Sequence, residues 1–292
     1  MGSLFLMPAV VYIVALVGIP FFLAIAFSLS SVTVGDTSLH FVGLANYRAI
    51  WKTPQFQRAL KNTFVFTIVS QVLIIVLSTI LAEILYVDFR GKWIARMLIM
   101  LPWATPVSLG TIGWLWLLDS KFSPIDWVLR AVYLLGPGTL LGPGKHLNYL
   151  GREWLAMASV ILVQVWRLLP LSAVILLAGL TALPRDILDQ AEVDGSSFWR
   201  TLLQIKVPLL LPIISIAILF GTVFTFGDMT VVFVLTRGGP VYYTQVLSTW
   251  AYFKGIEGGS LAQGAAIALF LFPMLLAGAI LILRMARRTE VV

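Results

Sequence analysis

Six long apolar segments constrain what this chain can fold into more than any other feature of its sequence. A helix that crosses the hydrocarbon core of a bilayer needs about 20 mostly apolar residues. Six segments meet this length, at about Leu4–Leu29, Thr63–Tyr86, Ile94–Leu118, Trp154–Leu180, Val207–Leu235 and Ala262–Leu283. We therefore predict an all-α fold, a polytopic membrane helix bundle with about six transmembrane helices. The first segment lacks the basic start and the cleavage site of a secretory signal, so we expect it to be retained as a helix.

The amino-acid composition excludes a water-soluble globular protein. Of the 292 residues, 60% are hydrophobic and 11% are charged, whereas soluble domains carry roughly 25% charged residues. A chain this apolar cannot bury its apolar surface in one water-soluble core, so lipid must be its main solvent. The net charge of +7 comes from Lys and Arg residues scattered through short loops. Because they form no basic tract, we expect no nucleic-acid partner.

The distribution of Lys and Arg predicts which side of the membrane each loop faces. Short cytoplasmic loops carry an excess of these residues. The loops 87–96 and 181–206 and the tail from Arg284 hold nine of them in about 45 positions, against ten in about 95 positions of the other three loops. We therefore place these segments and both termini in the cytoplasm. Since no internal repeat or disordered linker is present, we predict a single transmembrane domain over 1–292.

Proline and glycine residues predict where helices bend or end. The connection from about Asp119 to Glu153 is rich in both, and we predict an external loop there with a short interfacial helix over Pro124–Leu135. Seven prolines within the spans predict kinks, namely Pro8, Pro20, Pro102, Pro106, Pro170, Pro212 and Pro273.

The residues that an enzyme or an ATP site would need are missing. The stretch ending at Gly144-Lys145 comes closest to a phosphate-binding loop, but Thr139 occupies the position of its first Gly and His146 stands where Ser or Thr would bind magnesium. His40 and His146 lie in different predicted loops without a second ligand nearby, so no metal site is expected. No nucleophile, base and orienting group occur together. We expect a chain that is not an enzyme and that binds no cofactor itself.

The loop between the fourth and fifth spans predicts a short charged helix. Pro184 can occupy the first position of a helix, Asp186 and Asp189 favour its first turn through the helix dipole, and Gly195 can end it. These residues alone are equally consistent with a plain interfacial helix. The whole loop covers about residues 181–206.

This loop resembles the signature of the binding-protein-dependent ABC importer permeases, within them the maltose, trehalose and glycerol-phosphate type of carbohydrate permease. The family signature is Glu-Ala-Ala, two residues, then Asp-Gly, with Ile-x-Leu-Pro further on. Here Asp189-Gln190-Ala191 replaces the first triplet, Asp194-Gly195 matches, and the motif closes at 205–208 with Ile-Lys-Val-Pro. Three further segments resemble the family in the expected order, namely 41–47, Asn62-Thr63 and the Gly-Gly-Pro turn in 235–240.

The resemblance implies how such a chain works. A soluble solute-binding protein delivers a sugar such as maltose or trehalose to the outer face, and this chain forms half of the path together with a second homologous permease. Two separate ATPase subunits bind ATP and Mg, and the loop helix over 184–195 docks onto them. The residues that would carry this coupling are Asp189, Gln190, Ala191, Asp194 and Gly195. The resemblance also implies a multi-pass protein of the prokaryotic plasma or inner membrane.

Polar residues within the fourth and fifth spans indicate where the solute would bind. Gln164 and Arg167 lie on the fourth span, and Phe224, Thr225 and Asp228 lie on the fifth, at similar depths by the helical rise of 1.5 Å per residue. Polar side chains inside a membrane usually face the bundle interior. We predict that the four polar side chains form hydrogen bonds with sugar hydroxyls and that Phe224 stacks on a sugar face. These four are Gln164, Arg167, Thr225 and Asp228. The alternative is that Arg167 and Asp228 form a structural ion pair and Phe224 only packs.

Two polar residues of the second span are left outside this predicted site. Glu83 lies near the cytoplasmic end of the span, and we expect it to reach the interface by extending its side chain. Gln71 has no predicted partner.

Other classes of function remain as alternatives. A secondary transporter or channel that works without an ATPase would show inverted repeats with broken helices or a pore-lining ring of charge. A membrane-embedded enzyme would need clustered histidines or carboxylates. An amino-acid or peptide permease is a third alternative, within the importer class, but the Gly-Gly-Pro turn and the predicted external Gly-Leu-x-Asn-Tyr segment favour a carbohydrate permease.

Overall fold

A computed structural model describes residues 2–144 and 146–289 of the protein. Lys145, which ends the glycine-rich stretch, lies outside the described residues. Within the described part the chain is helical, with a single isolated β-bridge between Ser30 and Phe41. This confirms the all-α prediction. The helices are α1 (Gly2–Ile13), α2 (Ile19–Ser28), α3 (Ala45–Trp51), α4 (Pro54–Tyr86), α5 (Lys92–Ala104), α6 (Val107–Leu117), α7 (Pro124–Ala131), α8 (Glu153–Ala182), α9 (Arg185–Val193), α10 (Phe198–Arg200), α11 (Val207–Phe226), α12 (Thr230–Leu235), α13 (Leu247–Tyr252) and α14 (Leu261–Thr289).

Five continuous helical segments are long and apolar enough to cross a membrane. They are Leu6–Ser28, Pro54–Tyr86, Glu153–Ala182, Phe198–Phe226 and Leu261–Arg284. Two of them are made continuous by single π-helical turns, at Val14–Gly18 and at Thr201–Lys206. The pair α5 and α6 gives a sixth span if it is counted as one. The predicted number of about six is therefore confirmed for the described residues.

The third predicted span is not one straight helix. α5 and α6 meet at an angle of 96°. Thr105 ends α5 in an extended conformation with ψ 133°, and Pro106 precedes α6. A proline disfavours the helical conformation of the residue before it and has no N–H to continue the ladder, so the helix breaks here. The predicted kink at Pro106 is in fact a complete change of direction.

The fifth predicted span ends earlier than its apolar run. α11 stops at Phe226, and the chain passes through Gly227 before α12 begins. The carboxylate of Asp228 accepts a hydrogen bond from the backbone N–H of Val231 at 3.0 Å, which satisfies one of the free donors at the start of α12. The prediction of one helix over Val207–Leu235 is therefore wrong, because the apolar pattern continues across a break that Gly227 and Asp228 stabilise.

The second span begins nine residues before its predicted start. α4 starts at Pro54 and includes Asn62 and Thr63 within its length. Proline is favoured in the first turn of a helix, where its missing N–H costs nothing. The sequence did not predict the polar turns over 54–62, because the criterion of apolar length identifies only the part of a helix that lies in the lipid.

The chain divides into two compact units, and the first comprises residues 2–63 and 245–274. Its apolar core contains Phe56, Leu247, Trp250 and Ile267. Asn46, in the segment 41–47 that resembles the family, donates hydrogen bonds to two backbone carbonyls, those of Ser28 at 2.9 Å and Ser30 at 2.8 Å. This contact fixes the chain where it leaves α2.

The second unit comprises residues 64–244 and 275–289, while the prediction of one domain over 1–292 stays a prediction. The core of this unit is formed where α4, α8 and α11 pack together, by Ala82, Leu85, Leu176, Leu177, Leu180, Leu210, Ile214 and Ala217. α8 is the most enclosed of the candidate spans, since 61% of its apolar window is buried.

α4 and α11 run antiparallel along most of their length in the second unit. At one end the side chains of Glu83 and Lys206 form an ion pair. In the middle the amide of Gln71 lies against Gly221, and at the other end the rings of Phe64 and Phe226 meet edge to face at 5.7 Å. These three levels define the register of the two helices.

The loop between α6 and α8 is organised around a buried carboxylate. Asp126 in α7 is fully buried and accepts hydrogen bonds from the hydroxyl of Tyr149 at 2.7 Å and from the backbone N–H of Leu147 at 3.1 Å. Burial raises the pKa of the Tyr149 hydroxyl above its ordinary value, and the bond to Asp126 raises it further. His146 places its Nδ1 atom 3.4 Å from Asp126. The predicted short helix within Pro124–Leu135 is confirmed, since α7 lies inside that range.

Candidate functional site

A polar contact joins α8 to α11 in the interior of the second unit. The side-chain amide of Gln164 donates a hydrogen bond to the hydroxyl of Thr225 at 3.0 Å. Gln164 is 0% exposed and Thr225 is 1% exposed. The Oε1 atom of Gln164 has no hydrogen-bond partner among the described residues. Buried polar atoms in native proteins almost always have a hydrogen-bond partner. We therefore expect a ligand or a water molecule to donate a hydrogen bond to this oxygen.

An ion pair lies one turn along α8 from this contact. Arg167 donates to the carboxylate of Asp228 with an N–O distance of 2.7 Å, and the two side chains are 11% and 6% exposed. Asp228 lies in the break between α11 and α12, so it approaches α8 from a loop instead of from a helix face. The Nε atom of Arg167 has no partner in the described chain. The pair has no net charge, and it keeps one donor available.

An aromatic surface borders the polar residues. Phe224 is 41% exposed and lies edge to face with Trp103 of α5, with ring centroids 5.6 Å apart. Phe220, one turn earlier on α11, stacks near it at 6.4 Å. Exposed aromatic faces next to hydrogen-bonding groups suit ligands that are apolar on one face and polar at their edges. Trp103 is not among the predicted solute residues, because no local pattern in the sequence links α5 to α11.

The five predicted solute residues thus gather at one level of the second unit. Gln164 contacts Thr225, Arg167 contacts Asp228, and Phe224 faces outwards next to Trp103. Their role in binding a solute stays a prediction, as does the alternative in which the ion pair is structural.

The predicted charged helix is present as α9, and glycine ends it. Gly195 has φ +70°, a conformation that residues with a side chain rarely adopt. Its N–H bonds to the carbonyl of Glu192 at 3.0 Å, and the N–H of Ser196 bonds to the carbonyl of Ala191 at 2.9 Å. These two bonds are the Schellman pattern that closes a helix. Pro184 precedes the first helical residue by one position, so the predicted start is one residue early.

The predicted coupling residues differ in exposure. Asp189, Gln190, Asp194 and Gly195 are exposed, whereas Ala191 is buried. α9 therefore turns its small residue inwards and presents carboxylates and an amide outwards. A cleft of about 830 Å³ lies between α9, the ends of α4 and α5, and the π-helical turn; its charged lining residues are Asp88, Lys92, Arg185, Asp189, Glu192 and Lys206.

Glu83 and Lys206 form a buried ion pair that the sequence did not predict. The Oε2 atom of Glu83 lies 2.7 Å from Nζ of Lys206, and the side chains are 10% and 12% exposed. The side chain of Glu83 is therefore directed at Lys206, and its position at an interface stays a prediction. Lys206 also lies 5.3 Å from the ring of Tyr86. Because the partners are separated by 123 residues, no local pattern could have indicated the contact.

The fold and the site together define a polytopic membrane transport protein: a bundle of apolar spanning helices with polar groups enclosed at its centre and an exposed charged helix between two spans. The chain belongs to the family described as binding-protein-dependent transport system inner membrane component, whose model matches residues 74–291. The predicted resemblance is therefore confirmed. The chain is a multi-pass component of the inner membrane that acts in transport with a binding protein, and it is not an enzyme.

Two relatives align with most of this chain. One is named a probable ABC transporter permease protein of Brucella suis biovar 1; it is 31% identical over 246 residues, which cover 84% of this chain and 82% of the relative. Another is the trehalose/maltose transport system permease protein MalF of Thermococcus litoralis, 29% identical over 247 residues, which cover 85% and 80%.

A solved structure has the same fold. A chain in the crystal structure of a bacterial alginate ABC transporter, in complex with an alginate pentasaccharide-bound periplasmic protein, matches with a TM-score of 0.81. The match covers 98% of this chain and 93% of that chain at 16% sequence identity. At this identity the likeness shows the fold alone.

Proposed function

We propose that this chain forms half of the translocation path of an ATP-driven importer for a sugar, delivered by a solute-binding protein. A second homologous permease forms the other half, and two separate ATPase subunits supply the energy. The observation that carries the proposal is the continuous helical segment Phe198–Phe226. It begins three residues after Gly195, which closes α9, and it ends at Phe226, directly after Thr225 and two residues before Asp228 of the buried polar cluster.

This connection is what coupling over a distance requires. A helix rises 1.5 Å per residue, so the segment spans about 40 Å between the exposed loop and the polar cluster. A force that an ATPase applies to α9 would be transmitted to α11, because the intervening residues are helical throughout. The exposed side chains of Asp189, Gln190 and Asp194 would contact the ATPase, while Ala191 and Gly195 give the loop its shape.

The chemistry of the polar cluster suits a sugar. Gln164 and Thr225 carry donors and acceptors without charge, Arg167 and Asp228 neutralise each other, and Phe224 offers an exposed ring. The trehalose/maltose permease among the relatives supports a carbohydrate as solute. ATP and Mg would be held by the partner subunits, and this chain would contribute no cofactor site.

The coupling role is tested by breaking the end of α9. Gly195→Pro is incompatible with φ +70° and removes the N–H that bonds to Glu192. Gly142→Pro is the matched control, because Gly142 also has a positive φ, of +101°, and its N–H bonds to Thr139 in a loop remote in sequence from α9. ATP hydrolysis by the complete complex in proteoliposomes is measured with and without binding protein and sugar.

We expect sugar-stimulated hydrolysis to be lost in the Gly195 variant and kept in the Gly142 variant, with both complexes assembled. If no ATPase copurifies with the unmodified chain, or if the chain alone takes up sugar into vesicles without ATP, the proposal fails in favour of a transporter that works independently. The variant Asp228→Asn tests the solute site. If this variant takes up sugar at the unchanged rate, Asp228 is not part of the site.

A further inference from the structure

Three neighbouring polar residues of α4 have buried side chains without partners. Thr67, Ser70 and Gln71 are 5%, 0% and 7% exposed. Their spacing of three and four residues places them on one face of the helix. None of their side-chain atoms, two hydroxyl oxygens and the oxygen and nitrogen of one amide, has a hydrogen-bond partner among the described residues. We call these residues the α4 polar row.

Other hydroxyl groups of α4 behave differently. Thr63 donates to the carbonyl of Ala59 at 2.8 Å, and Ser78 and Thr79 donate to the carbonyl of Ile75 at 3.2 Å and 2.8 Å. A buried serine or threonine in a helix commonly satisfies itself by this bond to the preceding turn. The α4 polar row does not, so its donors and acceptors stay directed at whatever lies across the helix face.

The α4 polar row lies opposite the polar part of α11. The amide of Gln71 lies against Gly221, where any side chain would overlap its oxygen and nitrogen. Thr225 follows one helical turn later and bonds to Gln164. Beyond it, Phe226 meets Phe64, one turn before Thr67 on α4. The row is therefore level with the cluster on α8 and α11 that carries the proposed solute site.

The unmatched atoms on both sides have a common chemistry. The α4 polar row offers hydroxyls and an amide, and the facing cluster leaves Oε1 of Gln164 and Nε of Arg167 without partners. Buried polar groups of native proteins are almost always hydrogen-bonded to protein, water or ligand. A neutral molecule with many hydroxyl groups could bond to all of them, since each hydroxyl both donates and accepts.

We propose that Thr67, Ser70 and Gln71 form a second wall of the solute path, which hydrogen-bonds the uncharged hydroxyl groups of the sugar when α11 separates from α4. The inference rests on the proposed function and extends it to a helix outside the predicted site. Gly221 permits the separation, because α11 presents no side chain at that position to interlock with Gln71. The absence of charge in the row selects for neutral sugar hydroxyls over carboxylates or phosphates.

The chain contains no cysteine, so single cysteines in it can be followed by labelling. In the complete complex in proteoliposomes, Ser70→Cys is exposed to a hydrophilic thiol reagent, and the modified fraction of this chain is measured by its mass. Ala82→Cys is the control, because Ala82 is also 0% exposed on α4 but lies in the apolar core. Thr67→Cys serves as a second probe if the Ser70 variant does not assemble.

The sugar used is the member of a panel of trehalose, maltose and raffinose that most stimulates ATP hydrolysis by the unmodified complex. We expect cysteine at 70 to react at least tenfold faster than cysteine at 82 during turnover, and saturating sugar to slow that reaction severalfold. Gln71→Leu should raise the sugar concentration for half-maximal uptake by about three- to tenfold, as expected for one lost hydrogen bond. Ile74→Leu, on the same face, should not change it.

Equal reaction rates at 70 and 82 would overturn the inference, because the row would then be closed to water and solute. Fast reaction at 70 that sugar does not slow would also overturn it, because the row would then hold water only. Both results could occur with normal sugar-stimulated ATP hydrolysis, which leaves the proposed function standing. If no sugar stimulates hydrolysis in the unmodified complex, the proposed function fails and the inference fails with it.

Discussion

Replacing one member of the Glu83–Lys206 pair should destabilise the protein far more than replacing both. The two side chains are 10% and 12% exposed, and the N–O distance is 2.7 Å. Removing one partner of a buried pair leaves an uncompensated charge and costs about 3–5 kcal/mol, whereas a hydrophobic pair of similar volume is often neutral or stabilising. Glu83→Gln keeps the shape of the side chain but removes its charge, so it isolates the cost of an unpaired Lys206.

The magnitude follows from the remaining exposure. Because each side chain keeps about a tenth of its surface accessible, we take the lower end of the range, about 3 kcal/mol. For a chain somewhat larger than 250 residues, one kcal/mol corresponds to roughly 2–4 °C in the unfolding midpoint, so Glu83→Gln should lower it by about 6–12 °C. The double variant Glu83→Leu with Lys206→Met should lie within about 3 °C of the unmodified protein.

The assay is thermal unfolding of the detergent-solubilised complex, followed by tryptophan fluorescence. Lys92→Met is the control, since Lys92 pairs at 3.0 Å with Asp88, whose side chain is 100% exposed. Ion pairs on the surface contribute little, and the lost bond from Lys92 to the carbonyl of Tyr86 costs about 1 kcal/mol, so the control should lower the midpoint by at most about 4 °C. If the single and double variants at 83 and 206 lower the midpoint equally, the loss of packing and not the unpaired charge is responsible, and the reasoning is refuted.

Three further predictions concern the α4–α11 contact and the loop between α6 and α8. Gly221→Ala should cost about 1–3 kcal/mol by overpacking against Gln71 and should reduce uptake, while Gly113→Ala, where nothing lies within 4 Å, should not; equal stability of the two variants would exclude the close contact. Tyr149→Phe removes a hydrogen bond to a buried carboxylate and should cost about 1.5–3 kcal/mol; a smaller effect in denaturant unfolding would show that Asp126 finds another donor. Because the pKa of Tyr149 is raised in the folded protein, its contribution is fully present below about pH 10, the ordinary value, and falls as the pH rises above it; the Phe variant should therefore lose less stability between pH 9.5 and 11.5 than the unmodified protein.

The sequence predicted best where a local property decides the structure. The number of spans follows from apolar length, because a bilayer imposes a minimum on every crossing helix. The end of α9 at Gly195 follows from the positive φ that a helix end requires. Even the level at which Arg167 and Asp228 meet could be expected from the constant helical rise.

The sequence predicted poorly where the structure depends on distant partners. Hydropathy is the same on both sides of Pro106 and of Gly227, so it cannot distinguish a kink from a complete break. The ion pair of Glu83 was not predicted, because its partner Lys206 lies on another span. No local pattern predicted the contact of Gln71, because its neighbour Gly221 lies on another helix that is distant in sequence.

Because α4 and α11 touch at three levels, a tilt of α11 about one level displaces the more distant levels by a larger amount. The ion pair at Lys206 lies at one end of α11, and Gly221 lies 15 residues or roughly 22 Å further along. A tilt of only about 10° around Lys206 would move Gly221 roughly 4 Å away from α4, which exceeds the diameter of a water molecule. A small rotation at the loop end can therefore decide whether the centre of the unit is dry or open, while α11 stays anchored to α4 near its base.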